Sequence, residues 1–272
     1  MSIKADCHLH SSFSGDSKTP MEEMIISGIA KGLTTMCFTE HQDIDYPDSP
    51  DGPGSIFLLN TDSYLYELIR LREKYQEQIR ILFGVELGLQ KEILRKNAVY
   101  AKSYDFDFII GSSHICHGKD PYYPAFFEGR SVTEAYREYF ESILENVRSF
   151  SNFDVYGHLD YVVRYSPNMG RDYTCDPFAD LFDEILKALI VQNKGIEINS
   201  GGLRKGMQDF HPCTQILRRY RELGGEIITV GSDAHKAADI AADFERAANL
   251  LKECGFRYYT LFEKRVPEFH KL

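Results

Sequence analysis

The chain has 272 residues, of which 43% are hydrophobic and 26% charged, as in ordinary globular proteins. Asp and Glu outnumber Lys and Arg by 41 to 31, so the formal net charge is −10 at pH 7. This acid excess argues against a sequence-independent nucleic-acid binder, which needs a basic surface to displace phosphate counterions. No apolar run approaches the roughly 18 residues that span a bilayer, and the first residues lack the apolar stretch of a signal peptide. We therefore expect a cytoplasmic protein with neither membrane nor nucleic acid as partner, and the oligomeric state stays open.

Short apolar, β-branched runs alternate with longer amphipathic ones along the chain. The predicted strands are residues 3–8, 34–39, 81–87, 106–112, 155–158, 195–199 and 227–232, and the predicted helices are residues 20–31, 63–78, 93–102, 132–150, 178–193, 212–223 and 239–254. Seven strand-then-helix units predict an α/β fold with a parallel sheet. In a chain of this length they favour a closed barrel, one domain over residues 1–272, rather than an open sheet.

Two local patterns add detail to this plan. The run Thr19-Pro20-Met21-Glu22 predicts a helix start in which Thr19 caps the helix and Glu22 completes a capping box. The segments 43–60 and 119–129 have loop-like composition and follow predicted strand ends, so we expect them to cover a site. In a barrel of parallel strands the chemistry sits at the C-terminal ends of the strands.

The nine histidines carry the main functional information. Six of them stand at or just after the end of a predicted strand: His8, His10, His41, His114, His158 and His235. Glu86 takes the matching point of the third strand, Asp233 precedes His235 by two residues, and Asp16 follows the first His pair. In a closed barrel these ends meet at one rim, so the side chains form either a metal site or a costly cluster of buried polar groups.

Each of these residues alone is a weak signal, because a single strand-end histidine is more often a hydrogen-bonded structural residue than a ligand. The combination favours a metal centre. His117, His211 and His270 are interpreted as structural histidines, and Cys116 as a small buried apolar group. The six cysteines include no CxxC pair, which excludes a zinc ribbon.

The motifs resemble those of the polymerase and histidinol phosphatase (PHP) superfamily, in the same order along the chain. The matching runs are Asp6-Cys7-His8-Leu9-His10-Ser11 with Asp16, Thr39-Glu40-His41, Glu86, Ser113-His114, Gly157-His158 and Ser232-Asp233-Ala234-His235. The resemblance implies a distorted (β/α)7 TIM-like barrel with a trinuclear metal centre. Length and further runs, such as Glu197-Ile198-Asn199-Ser200-Gly201 and the tail Tyr259-Thr260-Leu261-Phe262, look most like the stand-alone histidinol-phosphate phosphatases.

Carried over by position, the resemblance implies nine ligands for three divalent transition metals. The first metal would be held by His8, His10 and Asp233, and Glu86 would bridge it to a second. The second would also take His114 and His158, and the third would take Asp16, His41 and His235. Mixed nitrogen and oxygen ligands suit Zn, Fe or Mn without choosing among them.

The reaction that this centre would support is hydrolysis of a small phosphate monoester, L-histidinol phosphate, by attack of a metal-bridging hydroxide. Asp233 and His235 are the candidates for moving the proton to the leaving alkoxide. Phosphate recognition needs cations at the same rim, and Arg164 and Arg204 follow the fifth and sixth strands. Asn199 and Ser200, at the end of the sixth strand, complete the predicted substrate-binding set.

Three alternatives stay open at this point. The same centre could act on a phosphodiester or a nucleotide, or the chain could be a metal-binding regulatory protein without catalysis. An amidohydrolase acting on C–N bonds also uses an HxH pair in its first strand. That group often bridges its metals with a modified Lys from the barrel, and no comparable strand-end Lys occurs in this sequence.

Overall fold

The computed structural model describes residues 3–272, in which seven parallel strands follow one another in chain order around a barrel. The strands are β1 (Ala5–Asp6), β2 (Thr35–Gln42), β3 (Arg80–Gly88), β4 (Phe108–Ser112), β5 (Val155–Tyr156), β6 (Gly195–Asn199) and β7 (Ile228–Gly231). The first and last strands meet, because Cys7 N–H donates to the Val230 carbonyl at 2.9 Å and Leu9 bridges to Ala234. The predicted distorted (β/α)7 TIM-like barrel is confirmed.

Helices surround the strands and cover their apolar side chains. They are α1 (Met21–Ala30), α2 (Thr61–Tyr75), α3 (Leu94–Tyr100), α4 (Val132–Ser149), α5 (Ala179–Val191), α6 (Gly201–Arg204), α7 (Thr214–Glu222) and α8 (Phe244–Glu253). All seven predicted helices occur. The last begins at Phe244, five residues later than predicted, because Ala241 and Asp243 adopt positive φ angles of 52° and 61° that interrupt a helix.

The capping box predicted at Thr19 is wrong. The Thr19 hydroxyl donates to the His235 carbonyl at 3.0 Å, and the Glu22 carboxylate accepts from the Tyr75 hydroxyl at 2.7 Å. A tertiary contact has therefore taken the group that would have capped the helix locally. The capping box that does form is at α4, where Ser131 and Glu134 exchange hydrogen bonds.

A C-terminal hairpin, β8 (Tyr258–Glu263) and β9 (Val266–Lys271), covers the N-terminal end of the barrel, and the sequence analysis did not predict it. Its turn residue Arg265 donates from Nε to the buried Asp154 carboxylate at 2.5 Å, just before β5. Phe262 stacks on Phe108 of β4 with ring centroids 5.2 Å apart. Since this end is covered, the opposite rim is left for a site.

The two predicted loops lie against each other at that rim. Segment 43–60 includes a 3₁₀ turn at Gly54–Phe57, and segment 119–129 includes one at Pro124–Phe126. They are joined by a hydrogen bond from the Tyr46 hydroxyl to Asp120 and by another from the Tyr123 hydroxyl to Asp51 at 2.9 Å. Within residues 3–272, no helix combines the length and apolar character that a bilayer crossing requires.

Candidate metal centre

The fold brings the nine predicted ligands together at the C-terminal ends of the strands. This group, the rim cluster, consists of His8, His10, Asp16, His41, Glu86, His114, His158, Asp233 and His235. Every member has a side-chain nitrogen or oxygen within 3.6 Å of another member's. His8, His10 and Glu86 are completely buried, whereas the side chain of Asp16 is 39% exposed. The cluster therefore opens to solvent on the side of Asp16.

Glu86, at the end of β3, lies at the centre of the rim cluster. Its Oε1 is 2.8 Å from His158 Nε2 and 3.1 Å from His114 Nε2. Its Oε2 is 3.2 Å from both His8 Nε2 and His41 Nδ1, and 3.5 Å from His10 Nε2. A carboxylate whose two oxygens face different sets of imidazoles is placed to bridge two ions.

Two further carboxylates orient imidazoles of the cluster from behind. His8 Nδ1 donates to Glu197 Oε1 at 2.6 Å, and His114 Nδ1 donates to Asp43 Oδ1 at 2.7 Å. A carboxylate only accepts hydrogen bonds, so each contact keeps a proton on Nδ1 and leaves Nε2 to face the centre.

Two other histidines are oriented through neutral groups. The Ser14 hydroxyl donates to Glu40 at 2.5 Å, so it accepts at 3.2 Å from His10 Nδ1. His235 Nδ1 donates to the Asp233 backbone carbonyl at 3.0 Å. In both rings the Nε2 lone pair is therefore turned into the cluster, as metal ligation by neutral histidine requires.

The arrangement of donors fits divalent cations. His8 Nε2 and His10 Nε2 lie only 3.1 Å apart, and a shared ion between the two lone pairs would explain that approach. His8, His10 and Asp233 place their donor atoms within 4.8 Å of one another, as do His8, Glu86 and His158. In the described part of the chain, Glu86 Oε2 and His235 Nε2 are buried and have no hydrogen-bond partner. Nitrogen and oxygen donors of this kind suit Zn, Fe or Mn.

The charges of the cluster are strongly coupled. Burial and the neighbouring rings of His41 and His235 lower the pKa of His10 to about 3, so this imidazole is neutral at pH 7. Burial disfavours a charge on His114, yet Asp43 and Glu86 raise its pKa to about 10. The pKa of Glu86 lies well below its usual value despite burial, because His8, His114 and His41 surround it. The carboxylates therefore favour positive charge at the centre of the cluster.

Arg164, which the sequence analysis predicted to bind phosphate, lies at the edge of the cluster. Its side chain is 10% exposed, and Nη1 is 3.6 Å from Asp233 Oδ2. The guanidinium lies over the rings of Tyr161 and Tyr165, at 4.4 and 5.0 Å from their centroids. Its Nε is buried without a hydrogen-bond partner among residues 3–272. A fixed cation with a free donor is a suitable anchor for an anion.

The other three predicted substrate-binding residues have internal partners. Arg204 donates from Nη2 to the backbone carbonyls of Ser232 at 2.6 Å and Asp233 at 2.9 Å. The Asn199 amide donates to Glu197 at 3.1 Å and accepts from Gly201 N–H at 2.8 Å. Ser200 is 1% exposed. These contacts hold the loops after β6 and β7 in position, and substrate contact by these residues stays a prediction.

The sequence did not reveal the orienting role of Asp43, Glu40 and Ser14. Each of these lies within four residues of a predicted ligand, which is the signal that could have identified them. For Glu197 the sequence leaves two interpretations open, a residue that orients ligands or substrate and an inward-facing barrel residue. Its 2.6 Å contact with His8 favours the first and becomes visible only when β1 and β6 face each other in the barrel. His211 lies outside the cluster and is hydrogen-bonded to Asp160 at 2.5 Å.

Comparison with known proteins identifies the family to which the chain is similar. The PHP domain model matches residues 6–201. A probable histidinol-phosphatase of Clostridium acetobutylicum is 32% identical and covers 97% of this chain and 98% of its own. The histidinol-phosphatase of Lactococcus lactis is 33% identical over 95% of this chain and 94% of its own.

Solved structures agree as well. The Lactococcus lactis histidinol phosphate phosphatase, complexed with zinc, L-histidinol and phosphate, superposes with a TM-score of 0.87 and 31% identity, covering 97% of this chain and 98% of its own. A putative histidinol phosphatase from Listeria monocytogenes shares the fold, with a TM-score of 0.77 and 18% identity over 89% of this chain and 99% of its own. Because the family model covers well over half of the chain and the relatives match it from end to end, this protein belongs to the PHP domain family.

Proposed function

We propose that this protein is a metal-dependent phosphomonoester hydrolase that converts L-histidinol phosphate to L-histidinol and phosphate. The observation that carries the proposal is the rim cluster, in which six imidazoles and three carboxylates converge beside one fixed arginine. End-to-end similarity to histidinol-phosphatases supports the substrate. The bound zinc, histidinol and phosphate of the Lactococcus lactis structure support both the metal type and the substrate.

The rim cluster would hold three divalent ions, with zinc favoured over iron and manganese. His8, His10 and Asp233 would hold the first, and Glu86 would be shared with a second that is also held by His114 and His158. The third would be held by Asp16, His41 and His235. Asp16 Oδ2 lies 3.6 Å from His41 Nε2 and 2.9 Å from His235 Nε2. When bound, such ions acidify water near neutral pH and neutralise phosphoryl oxygens.

Arg164 would hold the phosphate group. Its guanidinium is fixed, and Nη1 lies 3.6 Å from Asp233 Oδ2, so it borders the same space as the rim cluster. Stacking on Tyr161 and Tyr165 restricts the side chain before substrate arrives, which lowers the entropy cost of binding.

Asp233 is the better of the two candidates for proton transfer. His235 uses Nδ1 to donate to a backbone carbonyl, and its Nε2 points towards Asp16 at 2.9 Å, so neither ring nitrogen is available to the leaving group. The Asp233 carboxylate lies between the proposed metal ligands and the phosphate-binding arginine. Its Oδ1 is 3.5 Å from His10 Nε2, and its Oδ2 is 3.6 Å from Arg164 Nη1. It would accept a proton from the attacking water and deliver it to the leaving alkoxide oxygen.

The leaving alcohol carries an imidazole and an amine, which call for acidic and aromatic neighbours. Segment 119–129 supplies Asp120, which is 8% exposed and accepts hydrogen bonds from Tyr46 and from Tyr122 N–H. The ring of Tyr122 packs against Tyr165 at 5.3 Å, beside the stacked Arg164. We assign this side of the rim to the alcohol.

A first prediction concerns metal affinity. Glu197→Gln replaces the carboxylate that accepts from His8 Nδ1 with a neutral amide. Because an amide can donate as well as accept, it does not fix the proton of His8 on Nδ1, and we expect metal affinity to fall about 10- to 100-fold. The measurement is metal content by elemental analysis after dialysis against graded chelator. Glu73→Gln makes the same chemical change at an exposed position of α2 and should leave the content unaltered. Equal metal retention in both variants would contradict the role of Glu197.

A second prediction concerns the substrate. For metal-loaded protein we expect kcat/KM for L-histidinol phosphate to exceed that for phosphoethanolamine, which lacks the imidazole, by at least about 10³-fold. Bis(p-nitrophenyl) phosphate serves as the diester control and should be turned over more slowly still. Preference for the diester would favour the phosphodiesterase alternative, and no phosphate release from any compound would favour the regulatory one.

A third prediction concerns Arg164. Arg164→Ala removes a charged hydrogen-bond donor worth about 1.5–3 kcal/mol, so kcat/KM for histidinol phosphate should fall about 10- to 150-fold with metal content unchanged. Arg171→Ala is the matched control, because this exposed arginine lies in the following loop and pairs with no carboxylate in residues 3–272. A similar loss of kcat/KM in the two variants would show that Arg164 does not bind the phosphate group.

A fourth prediction concerns Asp233. Asp233→Asn cannot accept and return a proton, so kcat should fall about 10²- to 10⁴-fold in protein that still contains its metals. The pH–rate profile should lose the limb that reports this group, which separates a chemical role from a binding role. Full activity of the metal-loaded variant would show that another group moves the proton.

A further inference from the structure

A second group of metal-type donors lies apart from the rim cluster, where the turn after β4 meets α4. Cys116 and His117 stand in the turn, and Glu138 stands on α4. The thiol, one imidazole nitrogen and one carboxylate oxygen of these residues all lie within 4.8 Å of one another. None of the three belongs to the nine residues of the rim cluster.

The turn is closed by backbone hydrogen bonds and points its side chains in fixed directions. Cys116 N–H donates to the Lys119 carbonyl at 2.8 Å, and Lys119 N–H donates back at 3.0 Å. The two residues between them, His117 and Gly118, have positive φ angles of 48° and 77°. This is the geometry of a two-residue hairpin turn, in which neighbouring side chains keep a constant relation.

On α4, two glutamates seven residues apart present their carboxylates to both nitrogens of the His117 ring. Glu138 Oε1 is 3.0 Å from Nδ1, and Glu145 Oε2 is 3.6 Å from Nε2. A neutral imidazole donates through only one nitrogen, so one carboxylate faces a lone pair unless both nitrogens carry protons or a bound cation lies between the two groups. Arg130 holds the other oxygen of Glu138, Oε2, which leaves Oε1 directed at the ring.

We propose that Cys116, His117 and Glu138 bind one divalent ion of the zinc class. A thiolate with an imidazole and a carboxylate is a donor set that zinc accepts and that Mg²⁺ and Ca²⁺ avoid. Ligation needs donors at about 2.0–2.3 Å from the ion. The side chains of His117 and Glu138 are 44% and 35% exposed, so they are free to close on it.

The site would tie a loop of the active-site rim to the barrel. The segment after the turn contributes Asp120 and Tyr123, which bond to Tyr46 and Asp51 of the opposite loop. Its far end is held by Arg130, which donates from Nε to the Phe126 carbonyl at 2.8 Å and reaches Glu138. An ion at the turn would anchor the near end of the same segment on α4.

Cobalt substitution tests the proposal, because it reports sulfur ligation separately from the rim cluster. All nine residues of the rim cluster offer nitrogen or oxygen, so a sulfur-to-cobalt charge-transfer band in the near ultraviolet can come only from a site that includes a cysteine. We expect the full-length, reduced protein titrated with Co²⁺ to develop this band. We expect it to disappear in Cys116→Ser and in His117→Gln, and each variant to bind one equivalent of cobalt less than the parent protein.

Cys175→Ser, which changes a buried cysteine elsewhere in the chain, is the matched control and should keep both the band and the metal ratio. His117→Gln guards against a Cys116→Ser variant that fails to fold, because His117 is exposed. Absence of the band at saturating Co²⁺, or its survival in His117→Gln, would overturn the proposal. The cluster would then be a histidine in contact with two glutamates of α4 and without a metal.

Discussion

The carboxylate of Glu86 is the constraint on which the rest of the site depends. It is fully buried at the end of β3, and its two oxygens lie within 3.5 Å of five imidazoles. Removing so many charged and polar groups from water costs several kcal/mol per ion unless their charges are matched. The proposed cations supply that match. Distant residues orient some of the imidazoles that would hold them, as Glu197 does for His8, and sequence neighbours orient others, as Ser14 does for His10.

Glycines let the orienting carboxylates come close enough. A Cβ added at Gly231 would lie 2.2 Å from Glu197 Oε1 and 2.4 Å from the Cβ of His8. A Cβ at Gly88 would lie 2.0 Å from Asp43 Oδ1. Both distances are far below van der Waals contact, so any side chain there would displace a carboxylate that keeps the proton of a histidine on Nδ1.

The barrel separates stability from chemistry. At its N-terminal end the hairpin of β8 and β9 places Arg265 against the buried Asp154 and packs Phe262 on Phe108. At the C-terminal end the polar groups are concentrated, and two loops linked through Asp120 and Asp51 lie over them. The N-terminal end therefore contributes packing contacts, and the C-terminal end carries the buried charged groups.

The sequence by itself determined the barrel and the side chains that gather at its rim, because strand-end positions in a parallel barrel converge whatever the connecting helices do. His8, His41, Glu86 and His158 could be placed at one rim for that reason, because each stands at or near the C-terminal end of a strand. The alternation of strands and helices was equally visible, since hydrophobic periodicity is a local property.

The tertiary structure decided which groups orient the rim histidines and which partners the side-chain hydrogen bonds take. Glu197 meets His8 across 189 positions of the chain, and Thr19 gives its hydroxyl to His235 instead of capping α1. The hairpin that covers the barrel and the donors gathered around His117 also depend on contacts between distant segments. Such partners are chosen by packing in three dimensions, which composition and spacing do not encode.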